Sequence, residues 1–133
     1  MKYVVDANII FSALYNMDSN AGELLFLAIE GDVELISPEH IRVELQRVLV
    51  QKLGYAPDEV ESVVKALPVE WIERALYEEF LEEAKKLLED EADASLLACA
   101  QAFRCDAVTG DRKVLESRFK GVKIKRLREA HQR

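Results

Sequence analysis

The sequence predicts one α/β domain over residues 1–133, a three-layer α/β/α sandwich with a mostly parallel central sheet. Short apolar runs without polar alternation are typical of strands that are buried on both faces. These runs alternate with segments whose apolar residues recur at helical spacing, as in a sheet built from β-α-β units. No repeat, low-complexity stretch or linker divides the chain, and 133 residues are enough to bury a real core.

The first strand is predicted at residues 3–5, and Asp6 follows it directly. In an open parallel sheet, ligands bind outside the carboxyl ends of the strands, so Asp6 is expected at the rim of a crevice. Taken alone, Asp6 is better explained as the cap of a helix that begins near Ile9. Residues 9–14 are short and irregular, and predict only one or two helical turns.

A capping box predicts the start of the next helix, because the Asn20 side chain can accept from the amide of Glu23 while the Glu23 side chain reaches back. Gly31 is expected to end this helix. Residues 33–36 are apolar at three of four positions and are predicted as the second strand.

The third helix has strong signals at both ends. Ser37 is predicted to cap it, with Pro38 at the first helical position, and Gly54 to end it. Glu44 borders the apolar stripe of this helix. A shorter helix is predicted over residues 58–67 before a proline breaks it.

The second half of the chain continues the alternation. Residues 69–72 predict a weaker strand, and residues 77–88 an amphipathic helix with an acidic outer face. Another helix begins around Asp90, and its spacing places Asp93 on the apolar side of the first turn. Residues 107–109 form a short apolar strand that ends at Gly110-Asp111, and a short helix, a last strand at 122–124 and a basic tail follow.

The charges are unevenly distributed. The net charge of −7 argues against indiscriminate nucleic-acid binding. Residues 70–93 contain ten acids and three bases, whereas residues 112–133 contain nine bases and two acids. This layout favours an acidic site beside a basic segment that grips an anion, although two solvated helices of opposite charge would give the same count.

Four acids have positions that suggest a shared site. Two of them end apolar strands, and two border apolar helical stripes: Asp6, Asp111, Glu44 and Asp93. Each also has a purely structural explanation, as a helix cap or, for Glu44, as the partner of Arg47. Carboxylates gathered at one crevice repel each other, and a hard divalent cation removes that cost. A carboxylate-only pocket indicates Mg²⁺ or Mn²⁺, which serve displacement at phosphorus.

These motifs together resemble the PIN-domain family. The resemblance covers almost the whole chain and rests on Val5-Asp6-Ala7-Asn8, on Glu44, on the run from Asp93 to Ala98 and on Thr109-Gly110-Asp111. It implies a PIN-like fold and a metal-dependent ribonuclease, among which are the toxins of VapBC-type toxin–antitoxin pairs. Asp6, Glu44, Asp93 and Asp111 match the family's four acids, and Glu39 is an alternative to Glu44.

Further residues and partners follow from the same resemblance. Asn8 and Thr109 match polar supports that orient the carboxylates, and Asp90 is a substitute or addition beside Asp93. The charge layout, rather than the resemblance, predicts that Lys123, Lys125 and Arg126 contact the RNA backbone. Single-stranded or structured RNA is the expected substrate, and an antitoxin protein and a second copy of the chain are the candidate protein partners.

Three other functions compete with a toxin ribonuclease. One is an RNA-processing PIN nuclease outside any toxin system. Another is a non-catalytic PIN scaffold, against which the presence of all four acids argues. The third is a receiver-like signalling domain with a phosphorylated Asp6, but neither the paired acids before this residue nor a lysine at the end of a late strand is evident.

Composition supplies the remaining expectations. Cys99 and Cys105 do not share a helical face and are expected to be small buried hydrophobes rather than zinc ligands. No signal-peptide pattern or membrane-length apolar run is present, so the expected location is the cytoplasm. Many Glu, Lys and Arg residues with few Asn and Gln are typical of thermophilic proteins.

Overall fold

The computed structural model describes residues 1–130. In that part of the chain, five strands form one sheet in the order β3-β2-β1-β4-β5, and every neighbouring pair is parallel. The strands are β1 (Lys2–Val5), β2 (Glu34–Pro38), β3 (Val69–Ile72), β4 (Asp106–Val108) and β5 (Ile124–Lys125). The predicted α/β class is therefore confirmed, with a sheet that is parallel throughout.

Helices cover both faces of the sheet. They are α1 (Ala7–Tyr15), α2 (Asn20–Ile29), α3 (Glu39–Leu53), α4 (Pro57–Ala66), α5 (Leu81–Leu87), α6 (Glu91–Phe103), α7 (Arg112–Glu116) and α8 (Leu127–Ala130). Helix α1 packs against α2 and α3, and α3 packs against α4, whereas α5 packs against α6, which crosses β1, β2 and β4. Crossovers between parallel strands are right-handed as a rule, so connections that run in opposite directions along the sheet lie on opposite faces.

The core explains why the strands lack polar alternation. Val4 and Val5 of β1 and Ala107 and Val108 of β4 are completely buried, because both faces of these central strands are covered by helices. Among the described residues, no helix is long and apolar enough to cross a membrane.

The strand order creates a switch point between β1 and β4. From β1 the chain builds outward to β2 and β3, and then returns to lay β4 on the other side of β1. Ligands bind at such a point, outside the carboxyl ends of the strands, which here lead into Asp6 and Thr109. The order also excludes the receiver-like alternative, since receiver domains have the order 2-1-3-4-5.

Two helix starts differ from the sequence prediction. Helix α1 begins at Ala7 and has nine residues, longer than predicted, because Asp6 caps it directly. Ser19, rather than Asn20, caps α2, and its hydroxyl accepts the N–H of Gly22 at 3.1 Å. Ser and Asn are both good N-caps, so the motif alone did not fix the boundary.

The prediction that Ser37 caps α3 was wrong. The Ser37 hydroxyl is buried and donates to the carbonyl oxygen of Val5 at 2.7 Å, so it ties the end of β2 to the end of β1. Pro38 is the N-cap of α3 and makes no side-chain cap. A hydroxyl in the sheet interior must find a partner, and here the neighbouring strand supplies it.

The predicted helix at 77–88 is only partly α-helical. Two 3₁₀ turns, Arg74–Leu76 and Glu78–Phe80, precede α5. Tyr77 between them is buried. Apolar residues three and four apart suit both a 3₁₀ turn and an α-helix, so the pattern did not distinguish the two. The last two strands are also shifted by one or two residues from the predicted bounds.

Candidate active site

Asp6 is fixed at the carboxyl end of β1 by two donors. One carboxylate oxygen, Oδ1, accepts the backbone N–H of Ile9 at 2.9 Å, which is the cap of α1. The other, Oδ2, accepts the hydroxyl of Thr109 at 2.5 Å. Asp6 is thus both a helix cap and a member of a polar cluster that spans two strands.

Thr109 connects two of the predicted acids. It follows β4, is completely buried, and lies 103 residues from Asp6 in the sequence. Its hydroxyl oxygen also accepts the backbone N–H of Asp111 at 3.0 Å. The residue that was predicted to support the carboxylates therefore contacts one of them directly and positions the backbone of another.

Asp111 caps the short helix α7. Its Oδ1 accepts the N–H of Lys113 at 2.8 Å and that of Val114 at 3.3 Å. Asp111 is therefore a helix cap, and a cap that uses only one carboxylate oxygen is compatible with a second role as a metal ligand. Among the described residues, the hydrogen bonds to the Asp111 side chain all go to Oδ1, which leaves Oδ2 to face other groups.

Asp93 has a strongly perturbed carboxyl group in the first turn of α6. Burial is the largest cause, and the negative charges of neighbouring acids add to it, raising its pKa to about 6. The acids that act on Asp93 are Asp90, Asp111, Asp6 and Glu44. Asp90 is also the N-cap of α6, where its Oδ1 accepts the N–H of Asp93 at 3.1 Å.

Asp6 shows the same coupling. Burial raises its pKa, the hydrogen bonds from Thr109 and Ile9 oppose that rise, and the charges of Asp111 and Glu44 add to it. The structure thus brings two acids that follow β1 and β4 and two that lie on α3 and α6 within electrostatic range at one edge of the sheet.

The contacts and burial favour Glu44 over Glu39 as the fourth acid of the site. Glu39 forms a salt bridge with Arg42 on its own helix. Glu44 is half-buried, and its charge acts on both Asp6 and Asp93. The alternative partner of Glu44, Arg47, instead donates to Gln51 at 3.4 Å.

The acids fit a hard divalent cation in donor type and in charge. They offer only carboxylate oxygens, and their mutual repulsion is the kind of cost that a cation removes. Within residues 1–130, no three acidic, histidine or cysteine side chains form a compact group that could ligate one ion as they stand. The carboxylates therefore share a region, and ligation requires their side chains to close in.

Asn8, the other residue that was predicted to orient the carboxylates, lies in the first turn of α1 with its side chain exposed.

The two cysteines do not form a zinc site. Cys99 is buried and Cys105 half-buried, and both are free thiols. Burial raises their pKa values to about 12 and about 11, which disfavours the thiolate that zinc requires.

The three predicted RNA contacts differ in their surroundings. Lys125 pairs with Asp106 at 2.8 Å, and each side chain is only 26% exposed. Its ammonium also lies 5.8 Å from the centre of the Tyr3 ring. Lys123 and Arg126 are exposed, at the amino and carboxyl ends of β5 respectively. Much of the Lys125 charge is therefore already neutralised within the sheet.

Sequence reasoning missed two bases beside the acids. Lys113 and Arg118 line a cavity of about 590 Å³ together with Asp90 and Asp93. They lie in the same basic segment as the three predicted contacts, but nearer in sequence to Asp111. Their proximity to Asp111 was the available signal, and the excess of bases further along the segment obscured it.

Comparisons with known proteins agree with this architecture. The sequence model described as PIN domain matches residues 4–133. The structure of a DNA-bound VapBC from Salmonella typhimurium is similar, with a TM-score of 0.73 and 17% identity over 96% of this chain and 98% of that one.

Two further structures have the same fold. VapBC2 from Rickettsia felis, bound to a DNA fragment from its promoter, gives a TM-score of 0.68 and 19% identity, covering 95% of this chain and 98% of that one. A toxin-antitoxin complex from Klebsiella pneumoniae gives 0.66 and 19%, covering 90% and 94%. A search of the curated proteins found no match.

Proposed function

The chain belongs to the PIN-domain family, and on this premise we propose that it is a metal-dependent endoribonuclease that acts as the toxin of a toxin–antitoxin pair. PIN domains are a family of nucleases. The reaction is hydrolysis of a phosphodiester bond in RNA, and the proposed site is formed by Asp6, Glu44, Asp93 and Asp111. Asp90 adds a fifth negative charge beside Asp93.

One observation carries the proposal: the pKa values of Asp6 and Asp93 are raised at the switch point of the sheet, by burial first and then by the charges of acids from other elements. Helix caps alone do not require such coupling, because a cap needs only its local N–H groups. Perturbed carboxyl groups at the ligand-binding edge of an α/β sheet are typical of a functional site.

We propose that these carboxylates hold Mg²⁺ or Mn²⁺. When bound, the ion supplies positive charge that stabilises the charge developing on the phosphodiester. The protein's own contribution is to place the ligands. Thr109 orients the Asp6 carboxylate and the backbone of Asp111 through one hydroxyl group. This arrangement fixes two acids from different strands relative to each other. We further propose that the exposed Asn8 orients a carboxylate only when the site is engaged.

The basic residues of the last segment are the proposed phosphate contacts. Lys123 and Arg126 are exposed, and Lys125 contributes less because Asp106 neutralises it. The proposed protein partner is an antitoxin, since two similar structures are VapBC assemblies and a third is a toxin-antitoxin complex. A second copy of the chain is a further proposed partner.

Cleavage of a mixed single-stranded RNA pool by the purified chain tests the proposal. Three reactions contain Mn²⁺, Mg²⁺ or EDTA at equal ionic strength. Cleavage with either metal and none with EDTA is the expected result. Equal cleavage in all three, or none with either metal by a protein that is folded and free of antitoxin, contradicts it.

A further inference from the structure

Two neighbouring cavities extend from the acidic site across the face of the protein. The first, of about 590 Å³, includes Asp93, Lys113 and Arg118. The second, of about 620 Å³, includes Phe80 and the segment after α7. Leu87 and Arg118 line both cavities, which therefore form one continuous surface, here named the Arg118 groove.

The groove carries positive charge that is not already paired. Lys113, Arg118 and Lys120 line it, and none of them forms a salt bridge with another described residue. Lys86 also lines it, but its ammonium pairs with Glu83 at 2.9 Å. Acids line the groove as well, but Glu83 and Glu116 pair with Lys86 and Arg112, and Glu89, Asp90 and Asp93 line only the first cavity, next to the acidic site.

The far end of the groove is aromatic. Phe80 and Phe119 line the second cavity, and both side chains are half-buried, so part of each remains accessible. Single-stranded nucleic acids are bound by this combination of bases that follow the backbone and rings on which nucleobases stack. An acidic partner would contact only the bases, and a purely apolar partner would contact only the rings.

We propose that the Arg118 groove receives the single-stranded RNA that flanks the scissile phosphate. Lys113 and Arg118 contact the phosphates next to the acidic site, and a nucleobase lies against Phe119 at the far end. This inference rests on the proposed ribonuclease function, because it assigns the substrate path of the same site. It adds positions that bind RNA without taking part in the chemistry.

The test measures RNA binding separately from cleavage. All variants are made in an Asp6→Asn background, so that the RNA survives, and a short fluorescein-labelled single-stranded RNA of random sequence is titrated by anisotropy at several salt concentrations. The double variant Lys113→Gln/Arg118→Gln is compared with Arg47→Gln/Lys65→Gln, which removes the same charge from exposed residues outside the groove. Thermal melting checks that every variant is folded.

The groove variant should bind more weakly and show a salt slope shallower by about 1.4, the value for two phosphate contacts on a single strand. Its matched control should keep the slope of the parent. Phe119→Leu should lower the affinity by roughly 5- to 100-fold through loss of stacking. Phe26→Leu, the same change at an exposed ring on α2, should have no such effect.

The outcomes separate the two proposals. Groove variants that bind like their controls overturn the groove, even if the wild-type chain cleaves RNA. Loss of binding in the groove variants, together with a wild-type chain that does not cleave RNA, supports the groove and contradicts the nuclease. Absence of any RNA binding by the parent overturns the groove as well.

Discussion

The hydroxyl of Thr109 donates to Oδ2 of Asp6 at 2.5 Å, across the boundary between the two central strands. The same oxygen accepts the N–H of Asp111 at 3.0 Å. One buried side chain thereby orders two acids that the sequence separates by 105 positions. The consequence is that the acidic site depends on the register of β1 against β4, where Val5 lies opposite Val108.

Removing this hydroxyl should impair catalysis more than folding. Thr109→Val keeps the volume and the burial, but leaves Asp6 Oδ2 without its donor, so RNA cleavage should fall by roughly 10–100-fold, as for other groups that orient metal ligands. Thr109→Ser retains the hydroxyl and should keep most of the activity. Equal activities of Thr109→Val and Thr109→Ser would show that the hydrogen bond has no catalytic role.

The coupling among the acids predicts how stability changes with pH in the metal-free protein. Asp93 has a folded-state pKa of about 6, above its ordinary value. The folded state therefore binds more protons than the unfolded state between about pH 4 and about pH 6, and the contribution of Asp93 to stability falls as pH rises through this window. Asp93→Asn should raise the free energy of unfolding at about pH 7 and have little effect near pH 4.

Urea unfolding in EDTA at both pH values measures this effect. Asp58→Asn, at an exposed position on α4, is the matched control and should show no pH-dependent gain. A constant difference between Asp93→Asn and the wild type at both pH values would mean that Asp93 is not strained by its neighbours.

Divalent metal should remove the electrostatic repulsion by which the acid cluster destabilises the folded protein. A ligand that binds only the folded state stabilises it by mass action, by about 2.7 kcal/mol when its concentration is 100 times its Kd. Millimolar Mn²⁺ should therefore raise the melting temperature of the wild type but not that of Asp93→Asn. An identical rise in both proteins would place metal binding elsewhere.

The basic segment should divide into residues that bind RNA and one that supports the sheet. Lys123→Gln/Arg126→Gln should make the salt dependence of RNA binding shallower by up to about 1.4. Lys125→Gln should change the slope less than the double variant does, and it should cost at most about 1 kcal/mol of stability because it breaks the pair with Asp106. A larger change of slope for Lys125→Gln than for the double variant would contradict this division.

The sequence was sufficient to predict the fold because the signals agree at several levels. Apolar runs, glycine stops such as Gly54 and the alternation of strands and helices all indicate one architecture. Local boundaries were harder, since Ser19 and Asn20 are both capable caps, and Ser37 has a partner that only the neighbouring strand provides.

The acids of the candidate site were found from their positions at strand ends and beside apolar stripes, and from the family resemblance. Their mutual effects were not predictable in detail, because the coupling of Asp93 with Glu44 depends on how α6 packs beside α3. The sequence analysis also did not predict that Lys125 forms an ion pair with Asp106, which lies 19 residues earlier. This contact follows from the register of β4 against β5, which the sequence does not show.

The central claim is that Asp6 belongs to a metal-dependent ribonuclease site, and the most direct measurement is the rate of single-stranded RNA cleavage by Asp6→Asn in Mn²⁺. Asp58→Asn serves as the control for the same change of charge, and thermal melting verifies that both variants are folded. We expect cleavage to be abolished in Asp6→Asn and to equal the wild-type rate in Asp58→Asn. Undiminished cleavage by folded Asp6→Asn would contradict the assignment of the site.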